Sequence, residues 1–328
     1  MAFSQTVSQT VFTTDRVLSS AVRRCKIPAA TLTSEHWDIA KDQLFLLLSA
    51  LANDGVPLWC IQKVIQPLYD GIGDAVLPLG IVDVLNFNLR SLTQVTGTNT
   101  DISTSRTVVF TSSTAVTTVG ILWSATSVAI ALERSDDGVS WTTVQSETPV
   151  AVSGEWTWYD LYSSVATTRF RVRATTGTLG FTQIYLGNNP TEIPLARLNR
   201  DDYANLPNKS FKSDRPLQFW FDRQVPYPVM HLWPVPNSTA TTSQLNLLCH
   251  RHIMDVGTLT QELEIPQRWY DAVVSGLACK LAREFIEVDV AVIPMLDKDA
   301  FLATQSAQNE ERDNSPIRWA PNISQYTA

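Results

Sequence analysis

An abrupt change of texture near Ser91 constrains this chain more than any other feature. From Ser91 to Asn189 there is no lysine, Thr, Ser and Val crowd together, and apolar and polar side chains alternate. Val128, Ile130 and Leu132 alternate with Ala129, Ala131 and Glu133. Phe170, Val172 and Ala174 alternate with Arg169, Arg171 and Arg173, and Thr182, Ile184 and Leu186 form another set. A period of two is the mark of a strand with one buried face. Ser135-Asp136-Asp137-Gly138 joins two such runs. Asp-Gly signals a tight hairpin, because Gly takes the positive φ that the turn demands. Short strands at this density over about 100 residues predict a β-sandwich.

The flanking segments read differently. Together they predict an α+β multidomain chain: an α-helical bundle with a small antiparallel β-sheet, interrupted by the sandwich, with divisions at 1–90, 91–189 and 190–328. In the first segment, which reads as helical to about Arg90, Trp37, Ala40, Leu44, Leu47, Leu48 and Leu51 recur at three- and four-residue steps. At about 100° per residue they form one stripe. Ile39, Leu46 and Ala50 line roughly the opposite side. A helix apolar on two sides lies between two layers, either inside a bundle or wedged against a neighbouring subunit. A shorter helix, Asp15 to Cys25, carries Val17, Leu18, Ala21 and Val22, with Asp15 at its positive end and Arg23 and Arg24 in its last turn. Gly55 and Pro57 stop the long helix.

In the third segment Gln218 to Phe221, Met230 to Trp233 and Leu245 to Arg251 read as three strands of the small sheet. Prolines 226, 228, 234 and 236 confine these stretches to turns and edges. A helix opens at Ile265-Pro266 with Tyr270, Val274, Leu277, Ala278, Leu281 and Phe285 as its core stripe and Gly276 on its far face. Another opens at Pro294 and runs through Leu296, Ala300, Phe301 and Ala307. The tail keeps Ile317, Trp319, Ile323 and Tyr326, which a solvated end has no use for, so it is expected to dock on a partner.

Of the 328 residues 44% are hydrophobic and 17% charged, ample for a packed core. No stretch approaches the ~18 apolar residues of a membrane helix. The start, Met1-Ala2-Phe3-Ser4-Gln5-Thr6, lacks the basic and apolar regions of a secretory signal. A net charge of −7 argues against a sequence-reading nucleic-acid binder and leaves room for a protein that sits beside DNA without gripping it. Cys25, Cys60, Cys249 and Cys279 are scattered, with no CxxC pair, and are expected as reduced thiols of a protein assembled in cytoplasm.

Little catalytic chemistry is visible. His250 and His252 share a strand face as half of a metal site, but no third ligand is spaced to help. Asp136 and Asp137 lack the roughly six to eight oxygens that calcium requires. No nucleophile elbow, phosphate loop or glycine fingerprint occurs. Neither an enzyme, a metal nor a cofactor is expected. Two surface features stand out. Arg169, Arg171 and Arg173 form a row of cations, either a solvated face or a contact for an anion or subunit. Trp156, Trp158 and Tyr159, with Trp123 and Trp141, are either sandwich core or a platform on which sugar faces stack.

The outer segments resemble the head-to-tail adaptor (connector) proteins of short-tailed bacteriophages. The likeness lies in Ile193 to Lys209 (IPLARLNRDDYANLPNK), Pro216 to Gln224 (PLQFWFDRQ), His231 to Pro236, and Leu263 to Tyr270 leading into Leu277 and Leu281. Upstream it includes Leu44 to Leu58 and Leu77 to Arg90. It covers about two thirds of the chain. The hairpin from Leu132 to Val144, followed by Arg169 to Arg173, is similar to discoidin-like or carbohydrate-binding jelly rolls. The adaptor resemblance implies a virion protein forming a ring of about twelve copies around the DNA channel, between portal and tail or nozzle proteins. The alternative is a glycan-binding virion module used in host recognition.

Overall fold

The computed structural model describes residues 11–28, 31–53, 58–124, 128–150 and 152–310. The chain divides into two compact units, one made from Met1–Ile61 with His252–Ala328 and the other from Gln62–Arg251. The described helices are α1 (Thr14–Arg24), α2 (Ser34–Asn53), α3 (Arg200–Ala204), α4 (Tyr270–Glu284) and α5 (Ile293–Glu310). In the first unit α4 is central, and α1, α2 and α5 each pack on it. The sequence stripes explain this. Val17, Leu18, Ala21 and Val22 of α1, Ala40, Leu44 and Leu48 of α2, and Leu277, Ala278 and Leu281 of α4 are buried in one cluster. Each large side chain fully buried there contributes roughly 1.5–3 kcal/mol. Thr13 caps α1 by accepting from the Arg16 N–H, and Arg23 and Arg24 occupy the last turn. Gly276 does not lie on a far face: a Cβ there would stand 3.1 Å from Leu47 Cδ1, so its bareness admits α2.

The described residues of the second unit are mainly β-strand, with the short helix α3 and one 3-10 turn at Ser238–Thr242. Its strands begin with β1 (Ile61–Pro67), β2 (Asp74–Val76), β3 (Ile81–Gln94), β4 (Thr98–Ile102), β5 (Ser105–Thr114) and β6 (Thr118–Trp123). There follow β7 (Ile130–Ser135), β8 (Thr142–Glu147), β9 (Trp156–Asp160), β10 (Thr167–Ala174), β11 (Phe181–Pro194) and β12 (Ala196–Leu198). The last are β13 (Lys212–Ser213), β14 (Gln218–Asp222), β15 (Val229–Trp233), β16 (Val235–Pro236) and β17 (Gln244–Arg251). A six-stranded sheet runs β1-β17-β3-β11-β6-β9, a five-stranded sheet β4-β5-β10-β7-β8, and a four-stranded sheet β12-β14-β15-β2.

The expectation of a helical bundle with one small sheet is therefore overturned: the chain is mostly β, with several sheets. The flanking segments supply β1, β2, β3 and β12 to β17. Of the three strands expected in one small sheet, β14 and β15 pair antiparallel in the four-stranded sheet, while β17 joins β3 in the six-stranded one. The misreading of Leu77 to Arg90 has a local cause. Ile81, Val84 and Phe87 are buried at three-residue spacing because Val82 and Leu85 are extra residues opposite β17. A β-bulge inserts one residue and turns a period of two into three.

Two cores result. Val108 and Phe110, Ile130 and Leu132, and Phe170 and Val172 of the five-stranded sheet face Val119, Ile121 and Leu186 of the six-stranded sheet. This is the expected sandwich. Phe219, Phe221, Met230 and Leu232 face Phe87, Leu89, Leu245 and Leu247 in the second core, where Phe87 and Phe219 stack at 4.0 Å. Gln94 and Gly187 are direct partners across β3 and β11, so the chain leaves for the sandwich and returns at one place.

Candidate functional site

In the helical unit the two sides of α2 part company. Its first stripe is buried on α4. On the other side Ile39 is half-buried at the margin of the core, Ala50 is exposed, and Leu46 is 50% exposed. Phe45 lies exposed beside them. On α5 Leu296 and Ala307 are buried while Phe301 is 66% exposed, and Met295 and Leu302, seven residues apart, lie on one exposed line. Ile286, between α4 and α5, is 97% exposed. Exposed apolar side chains thus occur on α2, on α5 and between α4 and α5 of the helical unit. The expected docking residues Ile317, Trp319, Ile323 and Tyr326 lie outside the described residues.

The sandwich aromatics separate by burial. Trp158 is buried, stacks on Trp156 with ring centres 5.4 Å apart, meets Tyr185 edge-on and sits over Gly120. Tyr159 packs against the sandwich core. Trp123 is wholly buried and donates its indole N–H to Thr157 Oγ1 at 2.7 Å. Trp156, half-buried on β9, is left as the one member of Trp156, Trp158 and Tyr159 whose ring combines exposure with a stacked, held orientation.

The arginine row is engaged within its own sheet. Arg171 and Arg173 both bond Glu133 of the adjacent β7, a carboxylate whose side chain is 4% exposed. Arg171 also lies 3.9 Å above the Trp141 ring, and Arg169 donates to the Asp136 carbonyl. Burial pushes the Glu133 carboxyl up, but the two guanidiniums more than offset this and hold it below the ordinary range. In the adjacent turn Asp137 Oδ1 accepts from the Val139 and Ser140 N–H groups and from the Ser135 hydroxyl. Those donors hold its carboxyl far below the usual value. This is turn chemistry, and Gly138 takes the positive φ.

Sequence reasoning missed a polar cluster where the sandwich joins its frame. Asp160, on one end strand of the six-stranded sheet, accepts from Lys63 on the opposite end strand and from Arg90 of β3 between them. A flat sheet of six strands would be about 24 Å wide. The contact therefore requires the sheet to curl until its edges meet, and Tyr69, just past β1, also accepts from the Trp156 N–H. Burial raises the Asp160 carboxyl, while Lys63 and Arg90 outweigh that and hold it below the ordinary range. No local pattern announces pairs so far apart in sequence.

Three of the four thiols are held in the protonated form by burial. Burial pushes Cys25 up to about 11 and Cys249 to about 12, and Cys279, also raised first by burial, to about 11. Among the described residues no group of three His, Cys, Asp or Glu side chains is placed to hold a metal ion.

No family model matches the chain, and no curated protein matches it. Solved structures similar to part of it include the carbohydrate-binding module CBM32-1 of a family 31 glycoside hydrolase from Clostridium perfringens, at 15% identity and a TM-score of 0.24, covering 40% of this chain and 96% of that one. A second Clostridium perfringens module, CBM32-5, was solved in complex with GalNAc-β-1,3-galactose; it is 14% identical with a TM-score of 0.22, covering 40% of this chain and 99% of that one. A family 29 module, CBM29-2, is 9% identical with a TM-score of 0.20, covering 39% and 90%. Likeness of this degree carries no argument about function. The comparisons lend no support to the adaptor resemblance.

Proposed function

We propose that the chain is a non-enzymatic structural protein of a virion, a head-to-tail adaptor. On this reading it assembles in the host cytoplasm into a ring of about twelve copies between portal and tail around the DNA channel. The observation that carries the proposal is the uncovered apolar surface of the helical unit, Leu46, Phe45, Phe301 and Ile286 above all. The sequence resemblance of the outer segments and the return of the chain at Gln94 and Gly187 support it, since the sandwich then reads as an insertion into an adaptor frame. A net charge of −7 would let packaged DNA slide past. The test is native mass spectrometry and negative-stain imaging of the chain alone and mixed with portal protein. Closed rings are expected in the mixture and should be weakened by deleting 315–328; monomer under both conditions overturns the proposal.

A second reading is glycan binding by the sandwich. Its support in the chain is Trp156, held by stacking on Trp158 yet half-exposed.

A further inference from the structure

At the end of the sandwich formed by the β7–β8 turn, one guanidinium nitrogen has no hydrogen-bond partner among the described residues. Arg134 lies on the core-facing row of β7, beyond Leu132, opposite Thr142 of β8 and Phe170 of β10. Its Nη1 is shielded from solvent and makes no hydrogen bond. The adjacent Glu133, on the other face, is by contrast bracketed by two arginines. A shielded donor without an acceptor is unfavourable, so an oxygen brought to it by a ligand would relieve that cost. Arg134 borders a pocket of about 340 Å³ with Ser135, Asp136, Asp137, Thr142 and Thr167.

We propose that this pocket binds one neutral, hydroxyl-rich unit, a sugar residue. Arg134 donates to its oxygens and the two aspartates accept from its hydroxyls. The inference rests on the glycan reading and is independent of the adaptor reading. The size fits: ligand sites run from roughly 300 to 1,000 Å³, and this one stands at the small end, room for a ring rather than a chain. The charges set the class. Two carboxylates beside one guanidinium disfavour a further negative charge, whereas a hydroxyl both donates and accepts and so satisfies both kinds of group.

The full chain would be titrated with galactose, N-acetylgalactosamine, glucose and mannose, following amide chemical shifts. Saturable shifts centred on Ser135 to Ser140 are expected for at least one sugar. Affinity should fall roughly tenfold or more in Arg134→Met and in Asp136→Asn. Glucuronate should bind more weakly than glucose. The proposal is overturned by no saturable shift with any neutral sugar, by unchanged affinity in the variants, or by preference for glucuronate. Should Arg134→Met fail to fold, Asp136→Asn and Thr142→Val decide, and unchanged affinity in both overturns it. Sugar binding that survives Arg134→Met but is lost in Trp156→Ala overturns this pocket and leaves the glycan reading standing; silence toward every sugar overturns both.

Discussion

Glu133 shows how a single residue changes meaning once its neighbours are known. In sequence Arg169, Arg171 and Arg173 are a free row of cations; in the fold Arg171 and Arg173 are the counter-ions of one buried carboxylate. Glu133→Gln leaves two guanidiniums short of a charge, and because both are partly solvated we expect a loss of about 1–3 kcal/mol in urea unfolding at pH 7. The sign of the pH dependence follows from the lowered carboxyl. The contribution is present above its ordinary value of 4.5 and is lost as pH falls through the lower folded value, so the gap between parent and variant closes in acid. A gap that holds constant down to pH 3 would contradict this account. The burial of Phe170 and Val172 was legible from their alternation. The partnership with Glu133 was not, because cross-strand pairing is set by register rather than by spacing along the chain.

Among the elements, α1 and α4 were the most legible, since an unbroken apolar stripe at helical spacing has one way to be buried. Segment β3 was the least, because its bulges at Val82 and Leu85 imitate a helical step. The second apolar side of α2 was legible as a pattern, and the structure gives it no cover at Leu46 or Ala50. That yields a separation of effects. Phe45→Lys with Leu46→Lys should change subunit stability by no more than about 0.5 kcal/mol each, because both side chains are already exposed. The same pair should abolish ring formation on portal protein. Melting curves check the first half and sedimentation the second. A large loss of subunit stability would mean that these groups serve the interior after all.

For the whole molecule, the informative contact is the one among Lys63, Arg90 and Asp160, which ties the sandwich to the strands that carry it. Replacing residues 95–186 by an Asn-Gly turn should leave a folded, soluble frame, because Gln94 and Gly187 already face each other as hairpin partners. Its melting temperature should drop by roughly 5–10 °C, since Arg90, almost wholly buried, loses its closest carboxylate. Arg90→Met in that shortened chain should recover part of the drop, because an apolar side chain needs no counter-charge. An excised chain that fails to fold even with Arg90→Met would show that the frame depends on β6 and β9. The paired positions where the chain departs and comes back have a wider consequence. A cassette whose two ends lie side by side, and which offered an acid to Arg90, would fit between these positions without rethreading a strand. Chains sharing this chassis are expected to diverge most in the attachment they carry there.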